Sequence, residues 1–219
     1  MTEPAVLTSL PLFPLGTVLY PGGTLELQIF EVRYLSMIGT CVKTGAPFGV
    51  VSLTKGAEVL KPDTTQAHST SFTKEAFHGV GTLASITEFA APQAGLMRIR
   101  CSGTQRFRIA RQEKLKHGLW IADVTLLPAD EKIALPQDLQ SIGVALKNLI
   151  RSLEERLQPE QHAPVLPPLQ FDNCAWVANR WCELLPIPPE LKQRLMALDN
   201  PLVRLELVGD ILRRTGIVP

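Results

Sequence analysis

No stretch of this sequence approaches the roughly 20 consecutive apolar residues that cross a bilayer as a helix, and no membrane partner is expected. Nothing in it reads Gly-x-x-x-x-Gly-Lys-Ser/Thr, so the loop whose backbone amides cradle nucleotide phosphates is missing. Cysteine is scarce and dispersed. Cys41, Cys101, Cys174 and Cys182 form no Cys-x-x-Cys pair and stand at no zinc spacing with a histidine. Cys174 and Cys182 fall two turns apart on an expected helix, too far to bridge one another, so all four are read as reduced thiols serving as small core residues. The histidines, His68, His78, His117 and His162, are equally scattered, and no Gly-x-Ser-x-Gly elbow presents a nucleophile. No catalytic residue, metal or other cofactor is expected, and the chain is not expected to be an enzyme. Neither sign of charge dominates: 22 basic against 21 acidic side chains leave a net +1, which gives nucleic acid no global attraction. Aromatics make up only 6%, few for stacking bases. The opening Met-Thr-Glu-Pro-Ala-Val-Leu lacks a basic segment leading into an apolar one, so no secretory signal is read and the cytoplasm is expected.

What is present is enough to build a core. The 219 residues are 45% hydrophobic and 20% charged, which fits one or two domains. Leu25, Leu27 and Ile29 alternate with Glu26 and Gln28, the period of a half-buried strand. Leu10 to Leu15 carries two prolines, which cannot donate to a ladder, so it is expected as an edge strand or extended loop. Tyr20-Pro-Gly-Gly23 reads as a turn. From Glu31 the period becomes helical, through Tyr34, Ile38 and Cys41, with Gly45 placed as the C-terminal cap. Strands are expected at 48–53, 80–89, 97–101, 106–110 and 119–127, the third and fourth joined as a hairpin across Ser102 to Gln105. The polar segment Lys55 to His78 is expected as a mobile loop.

Beyond Pro136 the pattern is helical. Leu139, Ile142, Leu146, Ile150, Leu153 and Leu157 mark one face of a helix of about six turns. Pro159 to Pro168 is a proline-rich connector. Asp172 is expected to cap a second helix, a short third spans about 190–198, and Asn200-Pro201 opens the last as N-cap and first helical residue. Strands followed by helices argue for an α+β protein, divided as a β-rich part over residues 1–130 and a helical part over residues 131–219.

One family resemblance rests on several dispersed segments. They are Leu-Pro-Leu-Phe-Pro-Leu-Gly at 10–16, Pro-Gly-Gly at 21–23, Ile-Phe-Glu-x-Arg-Tyr at 29–34, Phe-Gly-Val-Val at 48–51, Val-Gly-Thr-Leu-Ala-x-Ile at 80–86 and Gly-x-x-Arg-Phe-Arg-Ile at 103–109. In the second half Leu-Leu-Pro-Ile-Pro at 184–188, Lys-Gln-Arg-Leu-Met at 192–196 and Arg-Leu-Glu-Leu at 204–207 continue it. Together they resemble the substrate-binding N-terminal domain of Lon-type ATP-dependent proteases. The resemblance implies a PUA-like pseudo-barrel followed by a helical bundle, and capture of unfolded or degron-bearing polypeptide. The chain ends too soon for the family's ATPase and peptidase domains, so a separate ATPase or protease is the implied partner.

Within that frame Tyr20, Phe30, Arg33 and Tyr34 are candidates for the rim of a peptide groove, against the simpler reading of a junction that locks helix to barrel. Backbone hydrogen bonds to the peptide are expected along the Leu10–Leu15 edge. The alternative is RNA binding, since PUA-like folds include RNA binders. If the expected hairpin forms, Arg98, Arg100, Arg106 and Arg108 share one face, and Glu88, Glu113 and Asp123 are the carboxylates that could neutralise them.

Overall fold

In the computed structural model of the chain, residues 5–56, 75–158 and 162–218 are described. They form seven strands with one helix among them and then a set of helices, an α+β order. The chain divides into two compact units, residues 1–128 and 129–219.

The first unit holds β1 (Val6–Leu15), β2 (Thr24–Ile29), α1 (Val32–Thr44), β3 (Phe48–Lys55), β4 (Ala76–Phe77), β5 (Val80–Gln93), β6 (Leu96–Lys114) and β7 (Trp120–Leu126). Strands β1, β7, β6, β5 and β3 are neighbours in that order, and a parallel pairing of β1 with β3 closes the ring. Every other pairing is antiparallel. All five ring strands send side chains into one cluster, Leu10, Leu12, Val51, Leu83, Phe107, Ala122 and Val124, which is the barrel interior. Phe107 fits there because two glycines stand against its ring. A Cβ on Gly49 would lie 2.8 Å from it and one on Gly81 2.6 Å. Outside the ring a second cluster forms, where Phe13 of β1, Val50 of β3, Ile99 and Cys101 of β6 and Ile29 of β2 pack with Tyr34, Met37, Ile38 and Cys41 of α1.

The prolines of β1 do not make it an edge. Val6 to Leu12 pairs with β7 and Leu12 to Leu15 with β3, so the strand sits between two neighbours yet each half is paired on one side only. Pro11 and Pro14 fall in those one-sided halves, where a missing N–H is tolerated. The expected hairpin over 97–110 is also absent. Residues 96–114 are one strand, and Ser102 to Gln105 lies within it rather than in a turn. Gly103 is there for close approach: it exchanges hydrogen bonds with Gly22 and Gly23, and a Cβ on it would stand 2.2 Å from the Tyr20 carbonyl oxygen. Most of the expected Lys55–His78 loop lies outside the described residues.

The second unit holds a 3-10 turn at Gln137–Leu139, then α2 (Gln140–Glu154), α3 (Cys174–Leu184), α4 (Pro189–Met196) and α5 (Pro201–Arg214). Helix α2 is shorter than the expected six turns. The start of the Pro159–Pro168 connector lies outside the described residues. The cap of α3 is Asn173, not Asp172: its Oδ1 accepts from the amides of Ala175 and Trp176. Asn200 caps α5 in the same way. Arg204 on α5 is fully buried and satisfied, donating to Asp130, Asn179 and the carbonyls of Leu195 and Leu198, which ties α3, α4 and α5 together.

Candidate functional site

The chain leaves β2 at Phe30 and turns into α1 at Glu31, whose extended backbone caps the helix. This junction gathers a buried ion network. Arg33 donates to Glu31 at 3.1 Å, to Glu75 at 3.1 Å and to the Gly118 carbonyl at 2.8 Å. Glu75 in turn accepts from Lys114 Nζ at 2.9 Å and Trp120 Nε1 at 2.8 Å. Burial alone would raise the Glu75 pKa, but these donors outweigh it and hold the carboxyl below its ordinary range. Burial works against the Arg33 charge as well, but its bond to Glu75 and the nearby charges of Tyr34, Glu75 and Glu31 together outweigh that, leaving the guanidinium pKa raised. The Arg33 guanidinium lies 4.4 Å from the Tyr34 ring centroid, and Tyr34 stacks on Phe13 at 4.0 Å.

These contacts reposition the expected rim. Tyr20, Arg33 and Tyr34 are interior, with relative exposures of 0%, 5% and 2%, whereas Phe30 is 55% exposed. Aromatic and guanidinium groups with this many partners act as a lock between helix and sheet. Phe30 and Tyr34 nevertheless meet at one place, a cavity of about 240 Å³ walled by Phe13, Leu15, Ile29, Phe30 and Tyr34, with Glu26 to Gln28 along one side and Glu31 at its end. Tyr20 and Arg33 do not line it.

The topology explains why the cavity exists. Strand β7 stops pairing with β1 at Leu12, while β1 runs on to Leu15. Strand β2 occupies the same side of β6 as β7 does, further along, and pairs with β6 alone among the described strands. The ends of β1 and β2 thus border one seam without pairing, and the cavity fills it. Within the Leu10–Leu15 segment expected to receive a peptide, β7 pairs the first part and β3 the second, so the end of β1 and the outer edge of β2 are the two unpaired edges here. A second cavity, about 230 Å³, lies between the end of α1 and residues Ser85 to Phe89 of β5.

Sequence reasoning found Phe30 and Tyr34 but missed Phe13, Leu15, Glu75, Lys114 and Trp120. Phe13 and Leu15 sat in a segment read as an edge because of its prolines. Glu75 stands in a polar stretch without periodicity, so nothing marked it as a buried anchor.

The arginine face does not assemble. Without a hairpin the four residues are strung along a single strand, and the extra residue that β6 carries between Gly103 and Arg106 breaks the alternation. Arg98 and Arg108 are exposed, while Arg100 and Arg106 are buried. Arg100 lies between Glu26 at 3.1 Å and Glu88 at 3.4 Å on the flanking strands. Of the other expected partners, Glu113 lies 3.7 Å from Arg111, and Asp123 accepts from the Ser9 amide at 3.0 Å.

Among the described residues no cluster of His, Cys, Asp and Glu is arranged to hold a metal ion. All four cysteines are free and buried, and burial pushes the Cys101 thiol up to about 12. Among the described residues no helix is long and apolar enough to cross a membrane.

Comparison with solved structures gives a crystal structure of a Lon N-terminal domain protein from Xanthomonas campestris, with a TM-score of 0.71 and 29% identity over 93% of this chain and 98% of that one. The N-terminal domain of the Mycobacterium avium complex Lon protease matches with a TM-score of 0.56 and 14% identity over 92% of this chain and 96% of that one, a likeness of fold. No curated protein sequence matches. Residues 9–214 match the family described as the ATP-dependent protease La (LON) substrate-binding domain. With nearly its whole length accounted for by that match, the chain belongs to the Lon substrate-binding domain family.

Proposed function

We propose that this protein is a non-catalytic recognition module that captures unfolded or degron-bearing polypeptide in the cytoplasm and works beside a separate ATPase or protease. The seam between β1 and β2 carries the reading. It offers a cavity lined by Phe13, Leu15, Leu27, Ile29 and Tyr34 together with Glu26, Gln28 and Glu31, and the exposed ring of Phe30 is part of that lining. A side chain entering it exchanges water for aromatic and aliphatic contact, and an exposed aromatic beside a pocket is the usual form of a binding anchor. The RNA reading has no assembled cationic face to support it.

The test is titration of the purified protein with a permanently unfolded, carboxymethylated protein and with the native form of the same protein. Binding of the unfolded form alone is expected, with Phe30→Ala weakening it by about tenfold, near 1.4 kcal/mol. Equal binding of both forms, or of neither, would sink the reading. So would affinity for RNA that falls steeply with salt and persists in Phe30→Ala.

A further inference from the structure

We infer that Arg33 and Glu75 are positioning residues for the seam: Glu75 fixes Arg33, and Arg33 fixes two of the cavity's walls, Tyr34 and Glu31. This rests on the polypeptide reading above. Neither Arg33 nor Glu75 lines the cavity, yet three of its walls lead back to them. The Arg33 guanidinium lies 4.4 Å from the centre of the Tyr34 ring, and its Nε donates to Glu31 at 3.1 Å. Tyr34 in turn stacks on Phe13, a third wall, with ring centres 4.0 Å apart and planes 11° from parallel.

Two features show why these walls need holding. Phe13 and Tyr34 lie closer and more nearly face to face than the offset or edge-on arrangements that ring quadrupoles favour. A guanidinium over one of the two rings draws on its π-electron density and offsets that cost. The second feature is the first turn of α1, which carries Arg33 and Tyr34. Glu31 stands at its N-cap but makes no side-chain cap bond, and its carboxylate accepts from Arg33 instead. Side-chain bonds reach this turn from elsewhere, as Arg33 donates to Glu75 at 3.1 Å and to the Gly118 carbonyl at 2.8 Å. Glu75 serves as a fixed post because Lys114 and Trp120 hold its other oxygen at 2.9 and 2.8 Å. Those two donors belong to β6 and β7, so strands that contribute nothing to the lining set where the aromatic wall stands. Arginine is required for this. Lysine keeps the charge but has neither the flat face for Tyr34 nor the fork that reaches Glu31, Glu75 and Gly118 at once.

The experiment uses the full chain. It has two tyrosines, so NMR of protein carrying isotope-labelled tyrosine reads Tyr34 directly, with Tyr20 as an internal control of folding. Tyr20 is fully buried and outside the lining, and Tyr34→Phe assigns the two signals. The carboxymethylated unfolded protein is expected to shift the Tyr34 signal of the native sequence and leave that of Tyr20 in place. Arg33→Lys should move the Tyr34 signal before any ligand is added, leave Tyr20 unmoved, and weaken binding by about three- to tenfold. Lys114→Met, outside the cavity, removes one of the Glu75 donors and should act in the same direction to a smaller extent. It also serves where Arg33→Lys does not fold. Undiminished affinity in a folded variant overturns the inference, and so does a Tyr34 signal that neither variant moves. Equal shifts of Tyr20 and Tyr34 in the variants, or binding to the native sequence that leaves Tyr34 unshifted, overturn it as well; polypeptide capture stands in each case. Failure of the native sequence to bind the unfolded protein removes both.

Discussion

Glu75 is the residue on which the junction turns. Its two oxygens take three donors from three separate segments, and both it and Arg33 are almost wholly removed from water. Glu75→Gln should therefore cost about 3–5 kcal/mol, because it leaves the buried Arg33 charge without its main partner. The effect has a pH signature. With its folded pKa below the unfolded value, Glu75 contributes stability in full above the ordinary carboxylate range and loses it as pH falls through the depressed folded pKa. Urea midpoints measured downward from neutral pH should drop for the native sequence, and Glu75→Gln should flatten that drop. The cysteines give a second test at this scale. Buried thiols with a raised pKa, such as Cys41 and Cys101, should resist a thiol reagent at mildly alkaline pH, and all four should react once urea unfolds the chain. Rapid reaction of the folded protein would contradict the packing around α1. Gly103 gives a third: Gly103→Ala drives a methyl into the Tyr20 carbonyl and should destabilise by about 1–3 kcal/mol or more in thermal denaturation.

Among the elements, helix caps separate what sequence shows from what it hides. Asn200-Pro201 was legible because one residue type caps and the next is pre-set for the first turn. At α3 two adjacent capping residues competed, and only geometry decides that Asn173 rather than Asp172 holds the amides. Asn173→Ala and Asn200→Ala should each cost about 1 kcal/mol, while Asp172→Ala should change the melting temperature little. Alternation marked β2, and the Gly45 cap of α1 forms as read, with its amide on the Cys41 carbonyl. Long-range pairing was not legible. Proline reports only that one backbone donor is missing, so it could not show that β1 changes partners at Leu12. Glycine likewise reports an absent Cβ, and the need for it at Gly103 is an approach by Tyr20, more than 80 residues earlier in the sequence. The same gap explains the candidate site: Phe30 and Tyr34 share a local motif, whereas the seam that unites them with Phe13 and Leu15 exists only once the ring closes.

For the whole molecule, each unit carries its own buried core: the two clusters around the ring in the first, and the apolar faces of α2, α3 and α5 in the second. We expect residues 1–128 expressed alone to unfold cooperatively on heating. A gradual, non-cooperative transition would mean that the strands need the helical residues to hold their ring.

The divided pairing of β1 has a consequence for synthesis. Its first half must find β7, with Val6 opposite Thr125, whereas its second half needs only β3, with Leu12 opposite Gly49. On a ribosome the parallel half can zip as soon as β3 emerges, but the ring stays open until β7 has been made. Contacts this distant in sequence close late and slowly. Through that interval Val6 to Leu12 lacks its β7 partner, so a protein inferred to capture unfolded polypeptide passes through a stage at which it resembles its own clients.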